Sequence, residues 1–470
     1  MSRSEKIAVI GWDGADWRYI NPLLEKGELP NLEKIINQGG KSNLNSVRPT
    51  MSPVAWSSYS TGTDPSQHGI YDFLQRKNQR FLPVTSKDIN KPYFWDKLDR
   101  KVGIVNIPMT YPPKQTEGVL VSGYLSSKDN TYTYPEELTE DLNDKDYIIE
   151  TLSIGYDGER TQKILDRAET AVDKRTDTCL RIINDYKPDF FHVTYTGLDR
   201  LQHYYPLPPS NEEFGSAVSE HYKKLDESIG RIREELVEDA TVIVMSDHGF
   251  REMKTEVYLN HWMKKKGYLV TENSESLLTK LGVTQQRIAP LLRSTGLLNP
   301  LKQVFSFIGF DPSKSVPKPG MNSIDLSETK AYCGNYRGAL YLVEENIEDL
   351  EEFKEVLEEE LLSLEFKREK VFKEILDTEE IYDDPNEDSP DFILVPNTGF
   401  HIVGFMGRGS LYSEKNTKTG VHDFEGIIAS NSEEINLENP RIVDLAPTIL
   451  ELYSREIPDY MTGKSLVSKE

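Results

Sequence analysis

Short apolar runs that alternate with helical stretches constrain this chain more than any other feature of its sequence. Residues 7–10 (IAVI), 102–107 (VGIVNI), 119–122 (VLVS), 190–193 (FFHV) and 241–245 (TVIVM) are apolar along almost their whole length. Strands of that kind are covered on both faces, and parallel neighbours need a helical crossover between them. Helical spacing fills the intervals. It runs over about residues 19–38 and stops at Gly39-Gly40, begins again at 56–61, and continues over about 160–186, 199–204 and 213–236. Strand character returns at 331–343 and 392–395. An acidic helix at 344–364 reads as solvated surface, and 444–453 reads as a closing amphipathic helix. The expected fold is α/β: a mostly parallel central sheet with helices on both faces.

The pattern changes between about 270 and 320, where helical apolar spacing is broken by Gly and Pro. This segment lies between two core-like stretches. The expected organisation is a catalytic core formed by 1–270 and 325–470, with 271–324 inserted as a helical cap. An ordinary connecting subdomain is the competing reading of the insertion.

Charge narrows the range of partners. The chain holds 78 acidic and 55 basic residues, a net charge of −23. That balance disfavours a nucleic-acid polymer or an anionic membrane as partner, since both need a positive surface. It leaves a small anionic substrate open, because bound cations reverse a local field. Cys179 and Cys333 form no CxxC pair, so they read as buried reduced thiols. No leader pattern and no apolar run of membrane-spanning length is present, which makes the cytoplasm the expected compartment.

In sheets of this kind ligand groups collect just past the carboxyl ends of the strands. Asp13 follows the first run, Asp199 and His203 follow the fourth, and Asp247 and His248 follow the fifth. On a helix, Asp199 and His203 face the same side at i and i+4. Asp247 and His248 are adjacent and point apart, so they suit two different ions. His422 closes Thr419-Gly420-Val421-His422. A donor set of carboxylate and imidazole suits zinc or manganese better than magnesium. Each piece alone has a plainer reading, as a cap, a turn former or a structural histidine.

Taken in order, Asp13, then PTMSPVAWSSYSTGTDPSQHGI, LDRLQH, SDHGF and TGVH, the sequence resembles the alkaline phosphatase superfamily, and within it the type I phosphodiesterase/nucleotide pyrophosphatase family. The resemblance extends from residue 7 to DLAPTIL and DYMTGKSL near the end. It implies two metal ions at one phosphoryl site. Asp199, His203 and His422 would hold one ion; Asp13, Asp247, His248 and the oxygen of Ser52 would hold the other. Ser52 stands in the nucleophile's place, where nucleotide pyrophosphatases commonly have threonine. Two ions roughly 4 Å apart stabilise the attacking and leaving oxygens of an in-line displacement. The implied substrate is a small phosphoester or nucleotide, hydrolysed through a phosphoseryl intermediate.

One position departs from the family pattern. Asparagine often stands three residues after the nucleophile, and here that residue is Ala55. Phosphoryl contacts would then come from the metals, from backbone N–H groups near 53–56, or from Arg200, for which a salt bridge is the plainer reading. Thr50 reads as a turn residue, His68 as a packing residue and His192 as core. His401 lies in a loop and is not expected to be a ligand. Trp12 and Trp56 flank the site as possible pocket walls. A phosphomonoesterase or phosphomutase fits the same nucleophile and metals. A sulfatase does not, since Ser52-Pro53-Val54-Ala55-Trp56 lacks the required arginine. A phosphoethanolamine-type lipid transferase is disfavoured without a membrane segment. A non-catalytic binding protein is disfavoured because every ligand position is filled.

Overall fold

A computed structural model describes residues 6–77, 80–126, 128–150, 161–205, 212–271, 321–382, 384–386, 388–404, 406, 410–413 and 418–468. An eight-stranded sheet forms its centre. From edge to edge the strands are Gly40–Asn45, Glu425–Ser430, Thr241–Met245, Ile7–Trp12, Phe190–Tyr195, Val102–Val105, Gly118–Val121 and Thr133–Tyr134. The run from Thr241–Met245 to Gly118–Val121 is parallel throughout. The antiparallel pairings lie toward the two edges. This is the α/β architecture that the apolar runs predict.

Ile7–Trp12 shows why the sheet has two cores. All six residues are buried. Side chains alternate between faces along a strand. Ile7 and Val9 therefore join the core that also contains Val54, Trp56, Ile449 and Leu450, from the helices Ser52–Thr61 and Leu445–Leu452. Ala8, Ile10 and Trp12 join the opposite core with Val172, Ile182, Tyr222 and Leu225, from the helices Thr161–Tyr186 and Glu212–Glu235. Each large aliphatic side chain buried this way contributes about 1.5–3 kcal/mol. Cys179 and Cys333 are both buried and free.

Register positions the functional residues. Ile7 lies opposite both Phe190 and Thr241, so Trp12 comes level with Tyr195, and Gly11 with Met245. The three central strands thus end together, and the loops that follow them start at one edge. The Asp13 N–H donates to the Tyr195 carbonyl at 3.0 Å and the Asp199 N–H to the Asp13 carbonyl at 3.1 Å, which ties two of those loops together.

The structure departs from the expected elements in particular places. The helical stretch at 19–38 is two helices, Trp17–Glu25 and Pro30–Gln38. Gly27 takes φ +68°, and the Glu28 N–H reaches back to the Leu23 carbonyl at 2.9 Å. This closes the first helix in the manner of a left-handed cap, and Pro30 opens the second. The helix expected from residue 56 starts at Ser52, which puts the proposed nucleophile in its first turn. The acidic helix is confined to Leu350–Ser363, where the Asp349 carboxylate accepts from the Glu352 N–H.

A second, antiparallel sheet has the order Ala331–Cys333, Ala339–Leu342, Phe392–Pro396, Phe372–Asp377. It packs with the helices Leu259–Lys266 and Leu350–Ser363 around a third apolar core. The expected cap lies almost wholly outside the described residues. At its two ends Thr271 and Ile324 meet in an antiparallel bridge. No described helix is long and apolar enough to cross a membrane.

Candidate active site

The aligned strand ends bring Asp13, Ser52, Asp199, His203, Asp247, His248 and His422 into one buried cluster. Asp199 and His203 face the same side of the helix Gly197–Tyr204, as their spacing requires. His422 lies on the strand Gly420–Asp423, which pairs with Gly249–Glu252 and so runs beside the Asp247-His248 loop. Gly14 at the centre takes φ +78°, and a Cβ there would lie 2.9 Å from the Phe250 ring and 3.2 Å from the Asp199 Cα. Only glycine fits, and its N–H donates to Asp247 Oδ1 at 3.2 Å.

Two overlapping groups of donor atoms result. The first is Asp199, His203 and His422; the second is Asp13, Asp199 and His248. Asp199 borders both, and Asp247 stands beside the second with Oδ2 3.4 Å from His248 Nε2. Asp199 Oδ1 is 3.0 Å from His422 Nε2 and 3.4 Å from His203 Nε2. Those two ring nitrogens are 3.1 Å apart. Ser52 is 2% exposed, with Oγ 3.2 Å from His248 Nε2 and 3.5 Å from Asp13 Oδ1.

Hydrogen bonding fixes what these atoms offer. His203 Nδ1 donates to the Gly420 carbonyl at 3.0 Å, and His248 Nδ1 donates to the Gly249 carbonyl at 3.1 Å. A neutral imidazole that donates from Nδ1 presents a bare lone pair at Nε2. Burial holds the His203 and His422 pKa values well below the ordinary range, so both rings are neutral at neutral pH. Asp199 Oδ1 and Asp247 Oδ2 are buried and have no hydrogen-bond donor. Acceptors thus face acceptors, an arrangement that divalent cations satisfy. The residues fit divalent metal.

The carboxylates feel the crowding. Burial, then Asp247 and Asp199, push the Asp13 carboxyl well above its usual range. Burial also raises Asp247. Asp199 moves the other way: burial opposes its ionisation, but the positive charge around it, of which the paired Arg200 guanidinium is the permanent part, outweighs it.

Neighbouring residues hold the cluster in place. Trp56 Nε1 donates to Asp13 Oδ2 at 3.0 Å. Arg200, 2% exposed, binds Glu150 Oε2 at 3.0 Å and also pairs with Asp199. For Arg200 this is the plainer expected reading, a salt bridge, although a buried one; for Trp12 and Trp56 the structure corrects the expectation. Arg200 is engaged by carboxylates and serves as a positioning residue for Asp199. Trp12 and Trp56 are fully buried and wall no pocket; Trp12 packs edge-on to Tyr222 and Trp56 orients Asp13. Of the backbone donors expected near 53–56, Pro53 has no N–H and the Ala55 N–H is bonded to the Met51 carbonyl at 2.8 Å. The Val54 N–H remains as a first-turn donor of the helix.

Three of the residues set aside fall where expected, whereas His401, expected in a loop, lies on the buried strand Phe400–Val403. Thr50 bonds the Val47 carbonyl, His68 is held by Ser58 and Ile70, and His192 is core, between Tyr59 and Thr194. A cavity of about 550 Å³ lies elsewhere, lined by the second sheet and the loop around Asp72, and none of the cluster residues borders it. Sequence reasoning missed Glu150, Arg337 and Lys418. Lys418 stands four residues before His422, which was a usable signal; Glu150 and Arg337 lie in no recognisable motif.

The family model described as type I phosphodiesterase/nucleotide pyrophosphatase matches residues 7–425. No curated protein sequence matches the chain. Similar solved structures include phosphonoacetate hydrolase from Sinorhizobium meliloti 1021 in complex with phosphonoacetate, 14% identical with a TM-score of 0.59, over 96% of this chain and 95% of that one. Murine ectonucleotide pyrophosphatase/phosphodiesterase 5 in complex with AMP is 13% identical, with a TM-score of 0.56 over 96% of both chains. Wild-type alkaline phosphatase PafA is 14% identical, with a TM-score of 0.58 over 99% of both chains. At these identities the likeness is one of fold.

Proposed function

The chain belongs to the type I phosphodiesterase/nucleotide pyrophosphatase family, whose members are metal-dependent phosphoric ester hydrolases, and from that premise we propose that it cleaves phosphodiester or pyrophosphate bonds through a phosphoseryl intermediate at Ser52. One observation carries the reading. Imidazole nitrogens and unbonded carboxylate oxygens gather in one cluster, whose His248 Nε2 and Asp13 Oδ1 lie 3.2 Å and 3.5 Å from the single buried hydroxyl of Ser52. Asp199, His203 and His422 are the proposed ligands of one divalent ion. Asp13, Asp247, His248 and Ser52 are those of the other, with Asp199 at the border. The donor chemistry favours zinc, with manganese next.

When bound, the ions favour the Ser52 alkoxide and offset negative charge on the transferring phosphoryl group. The protein does the positioning. Asp13 and His248 both lie within reach of Ser52 Oγ and set its direction. The helix Ser52–Thr61 places that oxygen at its positive end, with the Val54 N–H alongside. Ser52 bonds to phosphorus, the alcohol or phosphate fragment leaves on the far side, and water then hydrolyses the phosphoserine. Burial of the cluster limits access of bulk water until the leaving group has gone.

A panel of aryl monoesters, aryl diesters and pyrophosphate diesters, assayed with zinc, manganese and magnesium in parallel, tests this reading. Diester turnover that exceeds monoester turnover supports it. Preference for the monoester would make the protein a phosphatase on the same nucleophile, and no turnover with metals bound would make it a binding protein.

A further inference from the structure

Two cations, the buried Arg337 and the half-buried Lys418, stand beside the His203–His422 end of the cluster, and neither lies within ion-pair distance of a carboxylate among the described residues. Arg337 is 7% exposed. Its Nη1 donates to the His422 carbonyl at 3.2 Å, while Nη2 is buried and has no hydrogen-bond partner. The Lys418 Nζ lies 5.8 Å from the centre of the Tyr336 ring, which stacks on His401. Among nearby carboxylates Lys418 feels Glu256 most and then Asp199, and Arg337 feels Asp199 most. Lys418 in turn acts on His203, His422 and His401.

Both cations are held by the fold. Arg337 sits in the turn between the strands Ala331–Cys333 and Ala339–Leu342, at φ 62°, with its N–H bonded to the Ile402 carbonyl at 3.0 Å. This is how the second sheet reaches the site. Lys418 precedes the strand that carries His422, and the adjacent Thr419 N–H is bonded to the His203 carbonyl at 2.8 Å. A guanidinium edge buried without an acceptor is destabilising. An anion bound between them would reverse that penalty.

Position identifies the anion. Ser52 lies by Asp13 and His248. The cations lie by His422 and His203 at the other end of the cluster. An in-line displacement drives the leaving group away from the nucleophile. We propose that Arg337 and Lys418 form a subsite for an anionic group, phosphate or carboxylate, carried on the leaving fragment of the substrate. The inference rests on the nucleophile assigned above and adds a leaving-group preference to it.

The test compares three diesters that share one retained half. Their leaving groups are p-nitrophenol, 4-carboxyphenol and a nucleoside monophosphate joined through a pyrophosphate bond. In Arg337→Gln and Lys418→Met the ratio of kcat/KM for an anionic over the p-nitrophenyl substrate falls about tenfold or more, and Lys418→Arg restores most of it. A fall confined to the pyrophosphate arm identifies phosphate as the anion; a fall confined to the carboxyphenyl arm identifies carboxylate. Equal loss on all three substrates, or no loss on any, overturns the proposal. Wild-type inactivity on all three would instead count against the hydrolase reading. The subsite is then judged by calorimetry with inorganic phosphate and no metal added. Weaker binding to both variants supports it, and binding equal to wild type overturns it.

Discussion

His203 and His422 present their Nε2 atoms to each other at 3.1 Å, with Asp199 Oδ1 3.0 Å from the second of them. Neither imidazole is protonated at neutral pH, since burial holds both well below their ordinary range. His203 Nε2 and Asp199 Oδ1, 3.4 Å apart, are both acceptors and repel one another unless a cation lies between them, and His422, whose Nδ1 makes no hydrogen bond, can turn its Nε2 lone pair to the same ion. Most of the chemistry proposed for this protein follows from that contact.

Metal should therefore stabilise the fold. Zinc at about a hundred times its dissociation constant adds roughly 2.7 kcal/mol per site if only the folded state binds it. The unfolding midpoint should rise with added zinc and fall with a chelator. A midpoint indifferent to both would contradict the ligand assignment.

Ser52→Ala should lower kcat by about a thousandfold or more while leaving metal content and melting temperature close to wild type. Rapid-quench assays on the aryl diester, run beside elemental analysis, read both. Turnover close to wild type would remove Ser52 from the mechanism.

Trp56→Phe deletes the Nε1 bond to Asp13 Oδ2, 3.0 Å long, and keeps most of the buried ring. Loss of such an outer contact typically weakens metal binding about 10- to 100-fold. Chelator competition should show that loss. Asp199 offers a parallel case, because Glu150→Gln leaves the Arg200 guanidinium half-paired in a buried site. Breaking a buried pair costs about 3–5 kcal/mol, so denaturant titration should reveal a less stable variant.

His221 predicts a pH dependence of stability. It is fully buried, neither ring nitrogen has a hydrogen-bond partner, and burial lowers its pKa from 6.5 to about 4. A depressed folded-state value means its contribution is complete above pH 6.5 and is lost as the pH falls toward 4. Between pH 6.5 and 5 that loss amounts to roughly 2 kcal/mol. His221→Leu should lose less stability than wild type over this interval in urea titrations. Parallel losses would show that the ring does not titrate on unfolding.

The sheet was legible in the sequence because its central strands are apolar on both faces, as in IAVI and TVIVM, and because turn residues end them. The carboxylates of the candidate site were legible for a related reason: Asp13, Asp199 and Asp247 each follow such a run closely. Two kinds of feature were not. The break between Trp17–Glu25 and Pro30–Gln38 was marked by Gly27 and Pro30, but amphipathic spacing continues across it and masks it. Glu150 and Arg337 act through contacts between distant segments, and local spacing carries no trace of such pairing. Arg200 and Trp56 were noticed for their position beside the site, but their roles depend on which groups they face, and only the packing reveals that.

Bound metal, measured by elemental analysis on the purified protein after zinc loading and dialysis, tests the central claim most directly. The account predicts about two ions per chain in the wild type, as a two-metal phosphoryl site requires, and a clear deficit in Asp199→Asn, which alters the carboxylate bordering both donor groups. A folded wild-type protein that retains no metal, or an Asp199→Asn variant that retains as much as wild type, would contradict it.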